Sequence, residues 1–347
     1  MRAAIRSLIL LAALGFVAAA AAPWAPAAGV QQPAAQSFAA RIERLSEPGG
    51  EFDTDNLISN ERTFLDVIPA LASARVTGGA YIGVGPDQNF SYIAHVRPAI
   101  AFIIDIRRDN LLLHLLFKAV FAASSTRVEY LSLLTGRPVP DRLEGWKDAK
   151  LDRIVSYVDG VRTNAEASAR LDRRLRDAIA AFGVPLDAND FATIQRFHHT
   201  FVDAGLSLKF ESRGRPPRVV YPTYRDLVVA TDRAGRAMSF LASEDDFQYV
   251  KSLEARDLVI PVVGDLGGPR ALQAIADMIG SRSERVSAFY ISNVETYLYG
   301  DKYEKFVKNV ARLPRDARST IIRSNFQNSI SSSSIQPIEQ FLAGSRR

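Results

Sequence analysis

The spacing of apolar residues changes character near residue 79. Before it, apolar positions recur at helical intervals: Phe38, Ile42 and Leu45 form one short amphipathic stripe, ended by Pro48-Gly49-Gly50. Thr63, Phe64, Val67, Ile68 and Leu71 form a second, with Ser59 or Asn60 as its N-cap and Gly78-Gly79 as its stop. After it, short unbroken apolar runs alternate with helical stretches. The runs are Ala80-Tyr81-Ile82, Ala101 to Ile104, Leu258 to Val263, Val286 to Ile291 and Ser319 to Arg323. Pro261 is awkward in a central strand, so the third run is expected to become a strand only at Val262. The stretch after the first run is helical to His95, and Leu111 to Ala123 is apolar nearly all round, the mark of a buried helix. His114 and Lys118, one turn apart on it, read as a core or pocket-edge histidine and a snorkelling lysine. Asp141 to Arg176 mixes both charge signs, as a solvated helical face does. Further helices are expected at Phe191–Phe201, Glu244–Leu253 and Lys302–Leu313, and a strand at Tyr224–Ala230. The tail carries a Ser331–Ser334 run and one closing segment, Ile338 to Leu342.

Strands alternating with helices imply an α/β fold: a Rossmann-like, mostly parallel, doubly wound sheet. A large helical insertion, about 110–253, would separate its second and third strands. In such sheets ligands bind beyond the carboxyl ends of the strands. Those ends carry the chain's glycine-rich and polar elements: Gly83-Val84-Gly85, Asp105, Gly264-Asp265-Leu266 and Ser292-Asn293. Glycines permit a sharp turn and close approach of a ligand to the backbone, and an acid about 20 residues on is placed for ribose hydroxyls. The bland alternative for the first turn is a parallel-sheet corner that holds no ligand.

The N-terminus changes the picture. Arg2 and Arg6 precede an uncharged run from Leu8 to Ala22, then Pro23, with Ala25-Pro26-Ala27 as a cleavage-like site. These are the parts of a secretory signal. The expected organisation is a signal peptide over 1–27, a disordered Ala/Pro/Gln-rich leader over 28–37 and one α/β domain over 38–347. Export to the periplasm or outside follows, with no stable membrane span after cleavage; a misread signal would leave the chain cytoplasmic. There is no cysteine, which excludes disulfides, thiolate zinc sites and a cysteine nucleophile, and four histidines argue against a histidine-rich metal site. The net charge of +5 over 347 residues carries no specific nucleic-acid signal. Asp53, Asp55 and Glu61 lack metal-ligand spacing and read as capping and turn chemistry. His198 and His199 point about 100° apart on a helix, which argues against a shared metal. The basic stretch 209–218 reads as a solvated loop before it reads as an anion contact.

The series of strand ends resembles the class I S-adenosylmethionine-dependent methyltransferase fold. Ile104-Asp105-Ile106 is similar to that family's second motif, Val263-Gly264-Asp265-Leu266 to its third and Ile291-Ser292-Asn293-Val294 to its fourth. The phrases FDTDNLISNE and YIGVGPDQNF also look like those of an uncharacterised bacterial group with such a core. The resemblance implies S-adenosylmethionine as cofactor, held by Gly83, Gly85, Gln88, Asn89, Asp105, Ile106, Asp265, Leu266 and Ser292, with Asn60 and Glu61 added. It implies Asn293 and Glu295 as the residues that orient or deprotonate a small-molecule acceptor, unless they cap the segment that follows. Two departures stand out. Tyr81 replaces the acid that opens the first motif, and Asp87 replaces its third glycine, which would set a carboxylate near the cofactor's own. The chain after Arg323 is also short for the family's closing hairpin. The second reading is a non-catalytic exported protein that uses the same fold to bind a small polar ligand or an envelope partner.

Overall fold

The apolar runs become the strands of one sheet because each is buried on both faces by helices. A computed structural model describes residues 36–54, 56–212, 220–327 and 330–345. The expected signal peptide, nearly all of the expected leader and the basic residues 213–218 lie outside the described residues. The chain opens with α1 (Phe38–Leu45), α2 (Ile68–Ser73), β1 (Ala80–Gly83), α3 (Gln88–Val96) and β2 (Ile100–Asp105). Seven helices follow: α4 (Arg108–Ala123), α5 (Arg127–Leu134), α6 (Leu151–Gly160), α7 (Ala165–Ala181), α8 (Ala188–Ala204), α9 (Tyr224–Val228) and α10 (Glu244–Ala255). Then come β3 (Val259–Val263), α11 (Ala271–Ser281), β4 (Val286–Ser292), α12 (Asp301–Arg312), β5 (Thr320–Gln327), β6 (Ile330–Pro337) and α13 (Ile338–Gly344).

The strand order is β3-β2-β1-β4-β5-β6, parallel except for the last pair. Ile82 stands level with Phe102 on one side and Phe289 on the other. The chain winds outward from β1 through β2 to β3, then returns to start again at β4. The switch point of this α/β sheet therefore falls between β1 and β4. α4, apolar all round as its sequence demands, packs against β2 and β3 on one side and α5, α7, α8 and α10 on the other. It is the spine on which the helices between β2 and β3 are built. No helix among the described residues is long and apolar enough to cross a membrane.

Three local expectations need correction. Tyr224–Val228 is helical, because Thr223 and Asp226 form a reciprocal capping box that starts a helix despite the β-branched residues. The third strand begins at Val259, and Pro261 sits inside it opposite Ile103. Since β3 is an edge strand, the missing N–H costs no ladder bond on its open side. The tail is long enough for a hairpin: the serine run lies in β6, which pairs antiparallel with β5 from Thr320↔Pro337 to Gln327↔Ile330.

Candidate functional site

The turn after β1 is held from inside. Asn89 is fully buried; its Nδ2 donates to the carbonyls of Val84 (2.9 Å), Gly85 (3.2 Å) and Pro86 (2.7 Å), and its Oδ1 accepts from the Tyr81 hydroxyl at 2.7 Å. A Cβ on Gly83 would come within 1.9 Å of Asn89 Oδ1, so this glycine is required by Asn89. Gly85, at φ +81, occupies the left-handed region that favours glycine. Its carbonyl accepts from His114 Nε2 at 2.9 Å. Burial lowers the His114 pKa to about 4, so the ring is neutral and its Nε2 proton is fixed on that carbonyl.

Past the turn lies a cleft of about 650 Å³, at the carboxyl ends of the parallel strands. Of the expected residues, Gly85, Gln88, Asp105, Ile106, Asp265, Leu266, Ser292, Asn293, Asn60 and Glu61 line it. Gly83, Asn89 and Glu295 do not. The first two shape the turn. Glu295 follows β4 in a 3₁₀ turn and pairs with Arg323, whose Nε lies 2.8 Å from Glu295 Oε2. Burial raises its pKa and Arg323 opposes the rise.

The acids at the β2 and β3 ends are already engaged. Asp105 Oδ1 accepts from Arg107 N (2.9 Å) and Nε (3.0 Å), and Oδ2 accepts from Arg107 Nη2 at 2.9 Å. Both side chains are largely buried, and Arg107 also donates to the Thr54 carbonyl at 3.0 Å. Asp265 Oδ1 accepts from Gly267 N at 2.9 Å, while Oδ2 lies 3.4 Å from Lys302 Nζ at the rim. The loop after β3 is further fixed by Glu47, whose carboxylate accepts from the amides of Asp265 (2.9 Å), Arg270 (2.9 Å) and Ala271 (3.0 Å). Glu47 thereby caps α11 from outside its own helix.

The opposite end of the cleft has the reverse character. Glu61 is 1% exposed, and its carboxylate accepts from the Tyr290 hydroxyl at 2.8 Å and from the hydroxyls of Ser292 and Ser324. Burial raises its pKa, and the three hydroxyl donors work against that rise. Among the described residues no cation lies within ion-pair distance of it. Tyr290 spends its one proton on Glu61, so its oxygen accepts from Gln88 Nε2 at 3.2 Å. That orientation leaves Gln88 Oε1 buried with no hydrogen-bond partner in the structure. Glu61 was expected to do capping work; the cage around it comes from β4 and β5, more than 200 positions away.

Aromatic side chains that the sequence did not single out wall the cleft. Phe52 meets Tyr297 edge-on with ring centroids 4.9 Å apart, and Phe210 meets Tyr221 likewise at 5.1 Å. Phe210, Ser212 and Tyr221 come from the segment between β2 and β3, Phe52 from the loop after α1. Phe52 opens the phrase FDTDNLISNE, but no periodicity or motif marks the other three, since the segments meet only in the fold.

Two expectations about neighbouring polar groups change, and a histidine pair gains a partner. Asp87 does not face the cleft: it is buried, Oδ2 accepts from the Tyr224 hydroxyl at 2.8 Å, and burial raises its pKa to about 7. Lys118 does not snorkel: it is buried against Glu254 and Asp257, with Nζ 2.9 Å from Asp257 Oδ1 and 4.6 Å from the Phe38 ring centroid. His198 and His199, despite their divergent directions, share one carboxylate, Asp172, at 2.9 and 2.7 Å. Among the described residues no group of three or more His, Cys, Asp or Glu side chains is arranged to hold a metal ion.

Residues 57–180 and 195–342 match a family model described as a domain of unknown function (DUF7790). The matched stretches contain the sheet, the turn after β1 and the Glu61 cage. No curated protein matches the chain.

Proposed function

We propose that this chain, which belongs to the DUF7790 family, is a methyltransferase-like protein that binds S-adenosylmethionine in the cleft at its strand ends. The observation that carries the reading is the convergence of the ends of β1, β2, β3 and β4 on one cleft at the topological switch point. The residues present are compatible with the cofactor. Asp105 Oδ2 accepts one hydrogen bond and keeps capacity for a ribose hydroxyl, and Asp265 Oδ2 keeps capacity for an amino group. The paired aromatic walls suit a flat heterocycle. When bound, S-adenosylmethionine would supply an activated methyl group. The chain's own part is positional: Asn293 orients the acceptor, and Phe210 and Tyr221, from what is then a helical insertion, close the acceptor side against water.

Two observations favour a second reading, in which the cleft takes a small polar ligand and transfers nothing. Asp105 is clamped by Arg107, and the signal-like N-terminus would send the chain away from the cytoplasm where the cofactor is made. Calorimetric titration of the full chain with S-adenosylhomocysteine separates the two. The first reading expects saturable single-site heat that vanishes in Asn293→Trp, which fills the cleft mouth, with the melting temperature kept. No heat from a folded chain removes it.

A further inference from the structure

Among the described residues, Glu61 has no opposite charge within ion-pair distance, unlike the acids at the ends of β2 and β3. Asp105 has Arg107 and Asp265 has Lys302. Glu61 has three hydroxyls. Buried charges are costly unless paired, and hydroxyl donors alone offset only part of the desolvation. Three hydroxyls aimed at one carboxyl group favour its ionised form while burial favours the neutral acid, so a cation beside it would tip the balance to the anion. Beside it, joined through the Tyr290 hydroxyl, Gln88 Oε1 is a buried acceptor with no hydrogen to accept. Both residues line the cleft. A carboxyl group without a counter-charge and an orphaned acceptor, on two residues joined through one hydroxyl, ask for a group that carries positive charge and N–H donors together. A sulfonium or quaternary ammonium supplies the charge but no hydrogen. The site lies over β4 and β5, at least two strand spacings, about 10 Å, from Asp105 at the end of β2.

We propose that Glu61 and Gln88 Oε1 form a subsite for a primary ammonium group of the ligand. It completes the ion pair that the fold leaves half-made, with Tyr290, Ser292 and Ser324 as the residues that position the carboxylate. The inference rests on the cleft being the ligand site, and it specifies what the end away from Asp105 recognises. It also assigns a role to the segment before β1, whose Glu61 reaches the cleft through a loop and not through a strand end.

The test compares S-adenosylhomocysteine with its deamino analogue, which keeps the carboxylate and lacks the ammonium, by calorimetry on the full chain. The expected result is at least tenfold tighter binding of the amine. That preference is lost in Glu61→Gln and weakened in Gln88→Leu, while the deamino analogue binds all three proteins alike. An unchanged preference in folded Glu61→Gln overturns the subsite and leaves the cofactor reading standing. If no adenosyl compound binds, the cofactor reading fails and the subsite is judged by thermal shift with n-butylammonium against tetramethylammonium. Stabilisation by the first alone, dependent on Glu61, supports the subsite; a shift that does not depend on Glu61, or none, overturns it.

Discussion

Asp87 offers a prediction whose size follows from its surroundings. It is buried at the start of α3 and hydrogen-bonded to Tyr224, no cation among the described residues lies within ion-pair distance of it, and its pKa is raised from 3.8 to about 7. Between those values the unfolded chain has released this proton and the folded chain has kept it. Stability from this group is therefore full below about pH 4 and is lost as the pH rises through about 7. At about 1.4 kcal/mol per unit, the loss between pH 5 and pH 8 comes to about 2–3 kcal/mol. Asp87→Asn keeps an acceptor for the Tyr224 hydroxyl and removes the titration. Urea unfolding of both proteins at pH 5 and pH 8 isolates the effect, because His114, Glu254 and the other titrating groups cancel in the difference. The variant should gain about 2–3 kcal/mol on the wild type between the two pH values. A difference between variant and wild type that stays the same at both pH values would refute the assignment of a buried, uncompensated carboxylic acid.

Three further outcomes follow from the site's geometry. Asn89→Asp replaces a donor to three carbonyls with a buried anion, and should cost about 3–5 kcal/mol in urea unfolding; Asn89→Ala should cost less. Arg107→Met leaves the buried Asp105 unpaired and should cost a similar about 3–5 kcal/mol, whereas a neutral result would mean that the pair does not form. Glu47→Ala removes one carboxylate from three amides at the head of α11 and should cost about 1–3 kcal/mol, with amide exchange at Asp265, Arg270 and Ala271 accelerated above the rest of the sheet.

The central strands were legible because a strand buried on both faces must be apolar throughout, and Ala80–Gly83, Ile100–Asp105 and Val286–Ser292 nearly are. Their polar ends marked the cleft for the same reason. Tyr224–Val228 was misread because β-branched residues outweighed a capping box that was itself visible as Thr223 and Asp226. Pro261 and the serine run misled because tolerance of proline and serine depends on edge position, which no local pattern reveals. Glycine in the turn was read as room for a ligand, where Gly83 is room for Asn89. The Glu61 cage was out of reach for a different reason. Its hydroxyls come from β4 and β5, and only the strand order brings those ends beneath the segment that precedes β1.

The central claim is that one cleft, spanning the ends of β1 to β4 and floored at one end by Glu61, is where this chain meets its ligand. A crystal structure of the chain with S-adenosylhomocysteine tests it most directly. The account predicts density in that cleft, with the heterocycle on the Asp105 and Asp265 side and the ammonium against Glu61 and Gln88. Density elsewhere on the molecule, or in the cleft with the ammonium turned away from Glu61, would contradict it.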